Sequence, residues 1–156
     1  MANVQEILNL AKLTNVTIAT AESCTGGMVA AALTDVAGSS AVVDCGFVTY
    51  SNSAKMKMLG VSFSTLEKFG AVSEQVAAQM ADGALAHSGA NLAVSITGIA
   101  GPGGSDFKPE GRVCFGLAYV GQDTTTETVE FGPLGRENVR VAARDHALQL
   151  LYNALK

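Results

Sequence analysis

The sequence predicts an α/β protein, a three-layer α/β/α domain built on a mixed, mainly parallel sheet. Three observations predict it. From the N-terminus, short apolar strand patterns alternate with helical ones, which favours parallel pairing through helical crossovers. Around Gly121-Gln-Asp two strand patterns face each other as a hairpin, which makes the sheet mixed. Hydrophobic residues make up 48% of the 156 residues and charged residues 15%, enough apolar surface to cover both faces of such a sheet.

Each element has its own signal. Asn3 with Glu6 resembles a capping box, and Val4, Ile7, Leu8 and Ala11 follow helical spacing. Residues 16–21 read as a strand, residues 26–36 as an alanine-rich helix that packs tightly on a sheet, and residues 42–50 as a second strand. Strand–helix–strand over so short a stretch is a βαβ unit. Ser51 caps a short helix over 52–59, with Gly60 as its stop. Ser64-Thr-Leu-Glu67 is a second capping box that opens one or two turns. Ser73 caps a long helix over 74–88, ended by Gly89. A buried strand over 92–97 runs into a glycine- and proline-rich loop, 98–111. The hairpin strands are 112–120 and 124–131, and residues 136–155 have the period of an amphipathic helix. Linkers, repeats and low-complexity tracts are lacking, so one domain over 1–156 is expected.

Composition narrows the function classes. The net charge is −4 with no basic run, which argues against a nucleic-acid partner, because phosphate neutralisation needs clustered Lys and Arg. Cys24, Cys45 and Cys114 are odd in number and widely spaced, suggesting neither a disulfide framework nor a zinc site. No apolar run approaches membrane-spanning length and no leader pattern opens the chain. The expectation is a cytoplasmic protein without a membrane partner, a metal or an organic cofactor.

Four stretches carry chemistry. In Thr20-Ala-Glu-Ser-Cys-Thr-Gly-Gly27 a strand feeds a helix through a tight turn, which exposes Ser23 and aims backbone N–H groups at one spot suited to an anion or oxyanion. The bland alternative makes Ser23 or Thr25 a helix cap and Gly26-Gly27 packing residues. In Tyr50-Ser-Asn-Ser-Ala-Lys55, Lys55 falls in the first turns of a helix, where the dipole disfavours an ammonium. That placement suits a lysine whose pKa must fall: at an ordinary pKa lysine is neutral in only about 0.04% of molecules at pH 7. A Ser–Lys pair is an alternative to Ser–His–Asp, although an ordinary surface lysine is the competing reading. Lys57 lies on the opposite side of the helix. His87 and His146 adjoin no ligand partner and read as structural.

The third stretch, Ser95-Ile-Thr-Gly-Ile-Ala-Gly-Pro-Gly-Gly104, lies at the carboxyl end of a buried strand, where α/β folds place ligands. Its four glycines over seven residues can offer backbone N–H groups to a phosphate or carboxylate, although it is neither a Walker A loop nor a Rossmann fingerprint. Arg136, Arg140 and Arg144 form a stripe at i, i+4, i+8, with Arg136 at a helix start, where an anionic ligand would offset the dipole. A solvated face paired to Glu137 or Asp145 is the competing account.

Together, Ala21-Glu-Ser-Cys-Thr-Gly-Gly27, Thr49-Tyr-Ser-Asn-Ser-Ala-Lys55 and Thr97-Gly-Ile-Ala-Gly-Pro-Gly-Gly104 resemble the CinA C-terminal domain family, the bacterial nicotinamide-nucleotide amidases. The motifs stand in the family's order and spacing, and the likeness runs from residue 5 to 155. The resemblance implies a stand-alone version of a domain that elsewhere follows a molybdopterin-binding-like one. It implies hydrolysis of nicotinamide mononucleotide (NMN) to nicotinic acid mononucleotide and ammonia, and a homo-oligomer. It makes Ser23 the nucleophile and Lys55 the base, with Tyr50 a third catalytic residue through which the Ser23 proton can pass to Lys55. Cys24, Thr25, Gly26, Gly27, Thr97, Gly98, Gly101 and Gly103 would line the substrate, with either Arg136 or Arg140 in contact with it. Residues 105–113 depart from the family pattern, Ser105-Asp-Phe-Lys-Pro-Glu-Gly-Arg-Val113 replacing a Thr-Pro-rich loop and Pro-Val-Gly-Thr-Val. The rival expectations are a non-catalytic nucleotide-binding or interaction module, and a serine amidase for another small carboxamide.

Overall fold

The computed structural model describes residues 2–156; Met1, the first residue of the expected 1–156 domain, lies outside the described residues. Its five strands are β1 (Ile18–Glu22), β2 (Val43–Val48), β3 (Leu92–Gly98), β4 (Arg112–Tyr119) and β5 (Thr125–Glu130). They form one sheet in the order β2-β1-β3-β4-β5. The sheet is mixed, as the pattern predicts. β1 pairs in parallel with both β2 and β3, and β4 is antiparallel to both β3 and β5.

Two helical layers cover it. On one face lie α1 (Val4–Leu13), α2 (Met28–Thr34) and α6 (Arg136–Leu155), which pack on one another and bury Ile7, Leu8, Val29, Leu33, Leu148 and Leu151 with Phe115 of the sheet. On the other lie α3 (Asn52–Leu59), α4 (Phe63–Phe69) and α5 (Glu74–Ala86), with Leu59, Leu66, Val76 and Met80 against Ala19, Ala21 and Ala93. The small residues of β1 and β3 let α5 lie close to the sheet. β1 is the central parallel strand and is buried along its whole length.

Most expected elements form, with shifted ends. The helix expected over 26–36 starts only at Met28, because Gly26 and Gly27 have φ of +59° and +106°, left-handed values that end the turn rather than begin a helix. The cap expected at Ser64 is Ser62 instead. The Ser62 Oγ accepts the Thr65 N–H at 3.2 Å and lies 2.6 Å from the Thr65 hydroxyl, so the helix begins at Phe63 and Ser64 sits inside it. Asn3, Ser51 and Ser73 cap α1, α3 and α5 through their side chains.

This architecture decides where chemistry can occur. The carboxyl ends of β1, β2 and β3 lie side by side and point the same way, so the turn after Glu22, the segment 49–51 and the loop after Gly98 gather at one edge.

Candidate active site

Ser23 directly follows β1, and its N–H continues the ladder to the Ile96 carbonyl at 2.9 Å. The next three residues turn back sharply, the Gly26 N–H donating to the Ser23 carbonyl at 3.0 Å. Glu22, wholly buried, turns its carboxylate to the other side of the strand. There it accepts the Thr25 hydroxyl at 2.6 Å and the N–H groups of Gly27, Val29 and Ala30 at 3.1, 3.0 and 3.0 Å.

The α2 N-terminus therefore already holds an anion. The expectation that its first N–H groups are open to substrate needs correcting. Gly26 and Gly27 N–H groups are both engaged within the protein, and Ser23 is not the helix cap, a place taken by Gly27. Among the described residues, two N–H groups of the turn find no acceptor on another residue, those of Cys24 and Thr25.

Lys55 comes from the first half of α3 and is 1% exposed, sharing its buried helical face with Leu59 four residues on. Its Nζ lies 3.0 Å from Ser23 Oγ, 2.9 Å from the Thr49 carbonyl and 3.4 Å from the Tyr50 carbonyl. Among the described residues no carboxylate pairs with it. Burial holds its pKa below the usual lysine value, since the charged form loses solvation. The three partners suit the neutral amine well. Its two N–H groups match the two carbonyls, which can only accept, and its lone pair matches the hydroxyl, the only partner able to donate. Lys57, two residues on, is exposed.

Cys24 adjoins the pair, but its thiol is a poor nucleophile here: burial pushes its pKa up to about 12. Between the two adjacent candidates, the hydroxyl with a base at hydrogen-bond distance is the reactive one.

A cavity of about 320 Å³ opens over Ser23 and Lys55, near the lower end of the range for small-molecule sites, roughly 300–1,000 Å³. Ser23, Cys24, Tyr50, Lys55, Thr97, Gly98, Gly101, Gly103 and Arg136 all line it. Thr25, Gly26, Gly27 and Arg140 do not. Thr25 is fully buried against Glu22, and Arg140 lies behind the turn, donating from Nε to the Cys24 carbonyl at 3.0 Å and from Nη2 to the Thr25 carbonyl at 3.4 Å. Thr97 donates its hydroxyl to the Ala71 carbonyl at 2.8 Å, which ties the cavity wall to the segment before α5.

Tyr50 stands on the rim, 60% exposed. Its phenol oxygen accepts from Arg136 Nη2 at 2.7 Å and only its main-chain carbonyl faces Lys55, so a proton path from Ser23 through the phenol has no geometric support. Arg136 also donates to the Gly101 carbonyl at 2.6 Å and remains exposed at the cavity mouth. The glycine loop is less open to an anion than its composition suggests, because Glu110 fills its inner side. The Glu110 carboxylate accepts the Gly103 N–H at 2.7 Å and the Gly135 N–H at 3.0 Å.

The arginine stripe is thus divided among three tasks. Arg136 reaches the cavity, Arg140 holds the turn and Arg144 pairs with Asp145. His87 bonds the Gly83 carbonyl through Nδ1, and His146 pairs with Glu127 while packing on Phe115, both away from the cavity.

The sequence profile of the CinA C-terminal domain matches residues 2–155. The chain belongs to the CinA C-terminal domain family. It is 57% identical over 130 residues to a nicotinamide-nucleotide amidohydrolase PncC of Enterobacter agglomerans, covering 83% of this chain and 79% of that protein. A CinA-like protein of Chlorobium phaeobacteroides is 53% identical over 145 residues; the match takes in 90% of this chain but spans only 34% of that longer relative. Among solved structures, a competence/damage inducible protein of Agrobacterium tumefaciens is 50% identical with a TM-score of 0.86, covering 96% of this chain and 95% of the other. A competence or damage-inducible protein from Enterobacter asburiae, 35% identical, superposes with a TM-score of 0.94 over 98% of this chain and 96% of its own.

Against this CinA-type fold, sequence reasoning misses four contributors. Asn52, on the cavity wall, lies inside the Tyr-Ser-Asn segment without a signal of its own, whereas Ala71 and Val72 are brought in from the segment before α5 and carry no motif. Glu22 stands in a motif that gives it no task of its own. The available signal was its place at the end of an otherwise apolar strand, where an unpaired carboxylate would be costly.

Proposed function

We propose that this chain is an amidase that hydrolyses the carboxamide of NMN to nicotinic acid mononucleotide and ammonia, with Ser23 as nucleophile and Lys55 as base. One observation carries the reading. A lysine with 1% exposure and no counter-charge among the described residues holds its amine 3.0 Å from a serine hydroxyl at the floor of a cavity. Burying a lysine costs stability unless the neutral form is used, and a non-catalytic binding module has no need of that cost. The substrate class follows from the PncC relative's name and from an exposed arginine at the cavity mouth able to meet a phosphate.

The steps use this chain's own groups. Neutral Lys55 takes the Ser23 proton as Oγ bonds to the carboxamide carbon. The carbonyl oxygen, now negative, is held by the free N–H groups of the Cys24–Thr25 turn. Lys55 then gives its proton to the amide nitrogen, the C–N bond breaks and ammonia leaves the acyl-enzyme. Water adds to the ester carbon and loses its proton to Lys55, and the same proton returns to Ser23 Oγ as the carboxylate departs. Arg136 takes the substrate's phosphate, and the ring of Tyr50, fixed by the same arginine, offers a face to the pyridinium. The three cysteines are unpaired, which supports work in a reducing compartment such as the cytoplasm.

The test is ammonia release from NMN by the purified chain, with nicotinic acid mononucleotide quantified by chromatography. Equal yields of both products, lost in Ser23→Ala while NMN binding stays within about tenfold, are expected, because the hydroxyl acts mainly in the transition state. Turnover above about a tenth of wild type in Ser23→Ala removes Ser23 as nucleophile. Ammonia from other small carboxamides but not from NMN redirects the substrate assignment.

A further inference from the structure

We propose that Arg140 is a positioning residue for the amide hydrolysis: it fixes and polarises the Cys24–Thr25 peptide so that the Thr25 N–H holds the oxyanion. The inference rests on Ser23 being the nucleophile, and it gives Arg140 a task distinct from substrate contact.

Three observations carry it. Arg140 Nε donates to the Cys24 carbonyl at 3.0 Å and Nη2 to the Thr25 carbonyl at 3.4 Å, so one guanidinium grips two successive peptides across 115 residues of sequence. The Cys24 carbonyl and the Thr25 N–H belong to the same peptide plane. A cation on the oxygen side draws electron density toward that oxygen and leaves the N–H a stronger donor. Among the described residues that N–H has no acceptor, although Thr25 is fully buried, and buried backbone N–H groups are rarely left without a partner.

The turn aims this donor at the right place. It is closed by the Gly26 N–H on the Ser23 carbonyl, which makes Ser23 its first residue and Thr25 its third. In such turns a side-chain oxygen at the first position reaches toward the N–H two residues on. An oxygen bonded to the carbon under attack by Ser23 Oγ lies on the same side. The other face of the turn is held by an opposite charge, since the Glu22 carboxylate takes the Thr25 hydroxyl and the Gly27 N–H. The turn is clamped between an anion and a cation, and the Thr25 N–H, two residues after the nucleophile, is left without an acceptor among the described residues.

Gly26 leaves room for the grip. A Cβ there would lie 3.2 Å from Arg140 Nη2, and its φ of +59° already disfavours a side chain.

The experiment uses the full chain with Arg140→Ala and Arg140→Lys, and with Arg144→Met as a control, because Arg144 sits one turn further along α6 and pairs only with Asp145. NMN hydrolysis gives kcat and KM, and thermal melting monitors the fold. A second readout needs no NMN. An alkyl fluorophosphonate reacts with Ser23 by forming an Oγ–P bond as the P–F bond breaks, fluoride leaving and the hydroxyl proton passing to Lys55, with the phosphoryl oxygen in the oxyanion position. Intact mass follows its rate.

Arg140→Ala is expected to lower kcat about 10- to 100-fold with KM within about threefold, since the lost stabilisation belongs to the transition state. The phosphonylation rate falls in parallel, Arg140→Lys retains an intermediate rate, and Arg144→Met matches wild type. If Arg140→Ala fails to fold, Arg140→Lys decides by the same split between kcat and KM. A kcat within threefold of wild type in folded Arg140 variants overturns the inference and leaves the amidase reading intact, as does a rise in KM alone, which would make Arg140 a substrate contact. A wild-type chain inert to both NMN and the fluorophosphonate overturns the amidase reading, and this inference with it.

Discussion

Gly83 of α5 and Leu59 at the end of α3 meet so closely that a Cβ on Gly83 would lie 1.9 Å from the Leu59 carbonyl oxygen. This contact seats the last turn of α3 on α5, and Lys55 rides on that same short helix one turn earlier. A glycine far from the cavity therefore helps set where the amine stands. The predicted consequence is that Gly83→Ala forces the two helices apart. Overpacking of this kind costs about 1–3 kcal/mol, so the melting temperature is expected to fall by several degrees, at about 2–4 °C per kcal/mol for a chain of this size. Activity is expected to fall further than the folded fraction does, because Lys55 moves with α3. A melting temperature equal to wild type, measured by calorimetry, refutes the account.

Lys55 makes a prediction about pH whose sign follows from burial. Its folded pKa is held below the unfolded value of 10.5 by lost solvation. Between the depressed folded value and 10.5 the unfolded chain binds more protons than the folded one, so stability rises with pH across that window. Turnover rises with pH through the folded value, as the amine becomes free to accept the serine proton. Lys55→Met is expected to abolish turnover and flatten this part of the stability profile. Lys55→Arg is expected to be as inactive as Lys55→Met, because arginine remains charged at any working pH. Near-normal turnover in Lys55→Arg makes the residue an electrostatic anchor and ends the Ser–Lys mechanism.

Glu22→Gln tests the anionic side of the clamp. The carboxylate accepts four donors, two of them on different oxygens from α2's first turn. A carboxamide keeps one acceptor but turns an NH2 toward another N–H, leaving buried donors unmatched. A loss of about 1–3 kcal/mol is expected from denaturant midpoints. Unchanged stability would mean the turn is held by its backbone alone.

How much of this was legible beforehand differs by residue. The βαβ opening, the hairpin and the long last helix follow directly from apolar periodicity, and the sheet forms with the expected mixture of directions. Ser23, Tyr50, Lys55 and Thr97 stand in local motifs, so their gathering at one sheet edge follows once the parallel strands are paired. What sequence does not express is competition for the same donors. Gly26 and Gly27 look like open N–H groups until the Ser23 carbonyl is seen to take the first and Glu22 the second, and the glycine loop looks open to an anion until Glu110 is seen against it. Arg136 and Arg140 share one helical face and are equivalent on paper. Only the tertiary fold sends one to the cavity mouth and the other behind the turn.

That division between the two arginines gives the last prediction. Arg136 lines the cavity, braces Tyr50 and is exposed, whereas Arg140, among the described residues, bonds only to main-chain carbonyls of the turn. If Arg136 meets the phosphate of NMN, removing it affects affinity for substrates that carry a phosphate and spares those that do not. A charge-assisted hydrogen bond contributes about 1.5–3 kcal/mol, so Arg136→Ala is expected to raise KM for NMN about 10- to 100-fold while kcat changes little. Wild type is expected to use nicotinamide riboside poorly, and Arg136→Ala to use it no worse than wild type does, since neither engages a phosphate there. Measuring kcat/KM for both enzymes on both substrates isolates the arginine–phosphate coupling. An equal loss on the two substrates assigns Arg136 to fixing Tyr50 and the Gly101 turn rather than to the phosphate, and the anion site must then be sought elsewhere on the cavity wall.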